Sequence, residues 1–184
     1  MTAQRRGWWR SNSAALIALA VLLPATVLGA AWWEWKHAFP DSSQPLWAVD
    51  VGKSGTVDLA KSTWGPIKSK ALTDTTGLDV PKNSTVILVG IDVTPHDDKG
   101  TYCLPPRLIE QRTGREWDTA RLELGVQYNS DEPETCVTFS EDEKAKPYQL
   151  VLPYVVPDDA KGPYWVVIEP HRPGSEYVRF SIDP

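Results

Sequence analysis

The chain has one unbroken apolar stretch, and the rest mostly alternates. Ala14 to Trp33 runs for twenty positions without a charged residue. A helix rises about 1.5 Å per residue, so such a run spans the ~30 Å hydrocarbon layer of a bilayer. Helical geometry pairs every backbone polar group internally, which that layer demands. The reading is a membrane helix over residues 13–35, with Pro24 inside it as a tolerated kink point. Residues 1–12 then form a short basic tail, 36–45 a polar linker, and 46–184 a folded domain.

In the domain the dominant period is two, the mark of half-buried strands. Ser84 to Thr94 places Ile87, Val89, Ile91 and Val93 on one face. Tyr148 to Val156 places Tyr148, Leu150, Leu152, Tyr154 and Val156 together. Pro153 lacks a donor, so this strand is expected at an edge or at a bulge. Arg121 to Val126 is read as a strand with Leu122, Leu124 and Val126 inward. Tyr177 to Ile182 turns Val178, Phe180 and Ile182 inward, and Pro163 to Glu169, rich in Tyr164, Trp165, Val166, Val167 and Ile168, is read as buried on both faces. Shorter candidates are Gly55–Leu59, Tyr102–Glu110, Arg115–Thr119 and Thr135–Phe139, while the sequence around Ser62, Ser69 and Lys70 reads as weakly structured. Arg112-Thr113-Gly114-Arg115 reads as a hairpin turn with Gly114 at positive φ. Seven to nine short strands with such turns predict an all-β antiparallel sandwich.

The flanks of the apolar run set its orientation. Arg5, Arg6 and Arg10 precede it with no acidic residue among them, which places the N-terminus in the cytoplasm and the domain outside. Trp8 and Trp9 at one end, and Trp32, Trp33 and Trp35 at the other, suit the headgroup level. The bilayer is thus an expected partner and the cell membrane the expected location. A cleaved signal sequence is the competing reading, with small residues at Leu28-Gly29-Ala30 and secretion as its consequence.

Charge sharpens this division. The 184 residues carry 19 Lys+Arg and 24 Asp+Glu, a formal net charge of −5. Setting aside the three N-terminal arginines leaves −8. An acidic domain lacks the basic footprint of a nucleic-acid binder. Two cysteines exclude a disulfide-dense scaffold and a four-cysteine zinc site. Outside the cytoplasm Cys103 and Cys136 are expected to pair, closing a loop worth about 3–4 kcal/mol by chain entropy.

Candidate chemistry is sparse. His37, His96 and His171 have no ligand spacing, and Asp131-Glu132-Glu134 and Glu141-Asp142-Glu143 lack the pattern of a calcium loop. The acidic runs read as solvated surface. Gly52-Lys53-Ser54-Gly55 lacks the spacing of a phosphate loop, and no serine-nucleophile motif is present. The expectation is no enzyme, no cofactor and no metal. Trp47, Trp64 and Trp117 lie near element ends, where a tryptophan can anchor a partner or a sugar. The core is the other place for each of them.

The second half, residues 80–184, resembles the small extracytoplasmic immunoglobulin-like domains of the DUF4352 type. The resemblance lies in the strand Val86 to Val93, in Leu108-Ile109 leading to Gly114-Arg115-Glu116-Trp117, in Leu152-Pro153-Tyr154-Val155-Val156-Pro157-Asp158-Asp159-Ala160, and in the final strands Trp165–Ile168 and Val178–Ile182. It implies an immunoglobulin-like sandwich with an adhesion or accessory role and transfers no catalytic residue. The expected function is a membrane-anchored, non-enzymatic module that binds a protein partner or surface component of the cell envelope. A ligand-sensing ectodomain, or an anchored or secreted hydrolase, is the alternative.

Overall fold

A computed structural model describes residues 5–38, 45–52, 55–140, 144–171 and 174–184, with side chains of the first helix described over 12–36. The chain falls into two compact units, Met1–Ser42 and Ser43–Pro184. The first holds α1, Arg5–Ala38. Its stretch Asn12–Lys36 is long and apolar enough to cross a membrane, with a mean hydropathy of 2.3 and no part of it covered by protein. Pro24 lies within it, and Thr26 Oγ1 donates to the carbonyl of Leu23 at 2.9 Å.

The second unit contains nine strands among its described residues: β1 Trp47–Asp50, β2 Val57–Leu59, β3 Ser62–Ala71, β4 Ser84–Pro95, β5 Arg107–Glu110, β6 Glu116–Trp117, β7 Tyr148–Pro157, β8 Tyr164–Ile168 and β9 Glu176–Ile182. They form two sheets, β1-β9-β8-β5-β6 and β2-β3-β4-β7. One pair departs from the expected antiparallel pattern: β1 lies parallel to β9. There Arg179 grips Asp50 through two hydrogen bonds, 2.7 and 2.9 Å, and its guanidinium lies 4.2 Å from the Trp165 ring.

The inward residues of β4, β7 and β9 are those that alternation selects. Ile87, Val89, Ile91, Leu150, Leu152, Tyr154, Val178 and Phe180 are buried in one cluster drawn from both sheets. β7 is indeed an edge strand, and Pro153 sits on its outer side. That edge is covered by a neighbouring segment: Ala120 N–H donates to Pro153 O at 2.8 Å, and Val151 N–H to Pro133 O at 3.0 Å. A missing proline donor therefore costs the ladder nothing there.

Four sequence expectations fail, wholly or in part, for identifiable reasons. Arg121–Val126 is not a strand. Leu124 N–H donates to Ala120 O, Val126 N–H to Arg121 O and Gly125 N–H to Leu122 O, so one helical turn is closed by Gly125 at φ 71°. Spacing by four buries Ala120 and Leu124 and leaves Leu122 82% exposed. β3 was hidden by Gly65-Pro66, which falls in a register break between Trp64 and Ile67. A bulge absorbs both residues outside the ladder. Glycine is required at 65, since φ is 96° and a Cβ would stand 2.4 Å from Gly55 O. Thr135–Phe139 forms only an isolated bridge, Thr138 with Gly100, and Tyr102–Glu110 is strand only from Arg107 onward, past Pro105-Pro106.

One hydrogen bond links the sheets through the core. Tyr154 of β7 donates its hydroxyl to the carbonyl of Pro106, which leads into β5, at 2.8 Å. Burial pushes this phenol far above its usual pKa, so it remains a donor. Tyr154→Phe leaves the Pro106 carbonyl without this donor, so the domain should lose about 1–3 kcal/mol. Urea unfolding of the two proteins measures this; equal midpoints would contradict it.

Candidate functional site

The β5–β6 hairpin organises the best-formed groove. Glu110, the last residue of β5, is fully buried. Its Oε1 accepts the backbone N–H of Lys161 at 2.9 Å, and its Oε2 accepts Arg115 Nε at 3.0 Å and the Thr113 hydroxyl. These donors, led by the Lys161 amide, hold the carboxyl at a pKa of about 2. Gly114 takes φ 73° to close the turn, as its position in the sequence predicts. One carboxylate therefore ties the hairpin to the loop between β7 and β8.

At the opposite end of β5, Arg107 stands between two carboxylates. Its Nη1 donates to Glu116 Oε2 at 2.6 Å, and its Nη2 to Glu169 Oε1. Beside it opens a groove of about 360 Å³, walled by Leu104, Pro105 and Val167 and rimmed by Arg107, Asp118 and Glu169. Three segments distant in sequence build it.

A second cavity, about 510 Å³, lies among Lys61, Asp97, Thr101, Tyr102 and His171. Its wall includes the two-residue turn of the β2–β3 hairpin, where Ala60 and Lys61 hold φ of 53° and 58° without being glycine. Such residues cost about 1–3 kcal/mol each and persist only when their surroundings hold them. Here His96 N–H donates to Lys61 O at 2.8 Å, Thr101 Oγ1 donates to Ala60 O, and Lys61 Nζ pairs with Asp97 at 3.2 Å.

The expected disulfide, Cys103–Cys136, is present. The candidate aromatics separate. Trp47 is 67% exposed. Trp64 is fully buried, with its indole N–H donating to Leu59 O at 2.9 Å, so it serves the core and cannot face a partner. Trp117 is half-buried, edge-on to Tyr164 at 6.3 Å with the Arg115 guanidinium 5.5 Å from its ring. Trp32, Trp33 and Trp35 are exposed on α1. The side chains of Arg5, Arg6, Trp8, Trp9, Arg10 and His37 lie outside the described ones, as do Lys53, Ser54 and Glu141-Asp142-Glu143.

His96 reaches Thr63 Oγ1 at 2.6 Å, and His171 meets Tyr102 edge-on at 6.1 Å. No group of three or more His, Cys, Asp or Glu able to hold a metal occurs among the described residues.

In the Asp131-Glu132-Glu134 run, Asp131 and Glu132 are exposed as expected, while Glu134 is half-buried. Buried Arg121 lies 3.8 Å from Glu132 and 3.6 Å from Glu134, and donates to Glu132 O and Val151 O at 3.0 and 3.1 Å. It clamps its loop against the β7 edge. Neither buried charge, Glu110 nor Arg121, is announced by the sequence, because their partners lie up to 51 residues away. The short spacing Glu110-x-x-Thr113-x-Arg115 is the one local signal.

Comparison with family models, with curated proteins and with solved structures gives no match to this chain.

Because the folded-state pKa of Glu110 is depressed, its contribution is full above the ordinary carboxylate range, near 4.5, and fades as pH falls toward about 2. Glu110→Gln should lower the melting temperature at neutral pH and flatten its decline over that acid window. Thermal unfolding across pH checks this; parallel curves for both proteins would contradict it.

Proposed function

We propose that this chain is a single-pass membrane protein with a cytoplasmic N-terminus, whose outer domain is an immunoglobulin-like β-sandwich of accessory or adhesive type. It binds a protein partner of the cell envelope and carries out no chemistry itself. The fold reading is supported by two sheets sharing one core and by the resemblance of residues 80–184 to DUF4352-type domains. The disulfide Cys103–Cys136 is buried in the same core cluster as Trp64 and Tyr154.

The observation that carries the binding reading is the groove beside Arg107. Its apolar walls, Leu104, Pro105 and Val167, offer a place for an apolar side chain. Its one guanidinium is already neutralised by Glu116 and Glu169, which makes it a structural brace rather than a free anion receptor. Asp118 adds a further carboxylate at the rim, so the surplus is negative and suits a partner segment with a positive group. Fixed charges braced around an apolar slot suit recognition of a partner segment. Confinement to a membrane raises the domain's effective concentration for neighbours in the same layer.

A photocrosslinking amino acid placed at Thr119 in the full-length protein should give one dominant adduct in intact cells. The same group at Thr76, outside the groove, should not, and Asp118→Lys should abolish the adduct. Identical adduct patterns from Thr119 and Thr76 would refute the groove as the binding face.

A further inference from the structure

The outer domain carries an exposed apolar rim at one end, and the rim resembles the interfacial belt of a membrane protein. Among the described residues of the domain, the exposed large apolar side chains are Leu46, Trp47, Tyr102, Leu104, Leu122 and Tyr128. The first four border one connection, residues 169–175. The N–H groups of Leu46 and Trp47 donate to Ser175 O at 2.6 and 2.8 Å, and His171 N–H donates to Tyr102 O at 2.7 Å. Cys103 bridges to Pro170, and Leu104 lines the groove together with Glu169.

We propose that this rim, Leu46, Trp47 and Tyr102 with Leu104 at its lip, rests in the headgroup layer of the bilayer that holds α1. The proposal depends on the anchored reading given above. Trp and Tyr are the residues that favour this layer, because an amphipathic ring places its apolar body inward and its polar edge in the wet zone. The rim is also the end at which the chain joins the domain. Seven residue steps separate Ala38 from Pro45. Extended chain covers at most about 25 Å over that length, so the rim cannot stand far from the membrane surface.

The rim is preformed. Cys103 is fully buried and fixed to Cys136, and its neighbours Tyr102 and Leu104, 49% and 59% exposed, point away from the core on either side of it. Both basic side chains bordering the rim are paired, Lys61 with Asp97 and Arg107 with Glu116 and Glu169, and Asp118 adds a carboxylate in the groove. With its cations neutralised, this end meets a lipid surface without requiring an anionic one. The groove then opens beside the headgroups, within reach of partners that are themselves in the membrane.

The test uses the full chain in phosphatidylcholine vesicles, with a nitroxide label at Leu104→Cys or, on the turn at the far end of β5, at Arg112→Cys. Collision with oxygen, which concentrates in lipid, is compared with collision with a water-soluble nickel chelate. The 104 label should show an oxygen-to-nickel ratio several-fold above that of the 112 label. Trp47→Ser combined with Tyr102→Ser should return the 104 label toward the 112 value while leaving thermal unfolding unchanged. A 104 label as wet as the 112 label would overturn the proposal, as would protection seen only in native membranes, which would mean a protein covers the rim. An alkaline carbonate wash separates the two claims. Release of the protein from the vesicles defeats the anchor itself, whereas retention with a wet 104 label defeats only the docking.

Discussion

The physical constraint on which everything else depends is the uncovered surface of α1. Leu16, Ile17, Leu19, Val21, Leu22, Leu23, Val27, Leu28, Trp32, Trp33 and Trp35 all stand exposed, and no protein surface covers the stretch around them. Hiding one large apolar side chain from water gains about 1.5–3 kcal/mol, so the set amounts to on the order of 20 kcal/mol. A folded domain is stable by only about 5–15 kcal/mol. A helix with such a surface favours an apolar environment over water, and hydrocarbon is the one proposed for it above. The basic tail, the acidic domain and the tryptophans at the helix end all fit that assignment.

Within the domain, rigidity comes from a few polar ties set in an apolar core. Tyr154 joins β7 to the lead of β5, Glu110 joins the β5–β6 hairpin to the β7–β8 loop, and Arg121 clamps the 120–134 segment to the β7 edge. Each is a buried polar group whose partners lie in another element, so each penalises any rearrangement that would part them. The groove beside Arg107 inherits its shape from these ties. Its residues come from the approach to β5, the exit of β6 and the end of β8, and it exists only while those three segments hold register.

The sequence is informative where one residue face decides the outcome. Ile87, Val89 and Ile91 alternate because β4 has a buried face and an open one, and a one-residue slip would expose them all. The disulfide is legible because the sequence holds two cysteines, and two thiols in one domain read as extracytoplasmic are expected to pair. Reading by period fails where two periods compete. Leu122, Leu124 and Val126 fit a strand on paper, yet Ala120 and Leu124 are the pair that packs, one helical turn apart. It fails again at Gly65-Pro66, where residues that break a strand are held in a bulge inside one. The groove was beyond reach for a different reason. Asp118, Val167 and Glu169 carry no motif; the pairing of β5 with β8 brings Val167 and Glu169 to Arg107, and the pairing of β5 with β6 brings Asp118.

The central claim is that α1 crosses a membrane and leaves the two-sheet domain on the outer side. The direct measurement is labelling of intact cells with a membrane-impermeant thiol reagent, using full-length proteins that carry one added cysteine at Ser43 or at Thr2. The Ser43→Cys protein should react in intact cells and the Thr2→Cys protein only after the cells are opened. The reverse pattern would contradict the orientation, and labelled domain found free in the medium would contradict the anchor.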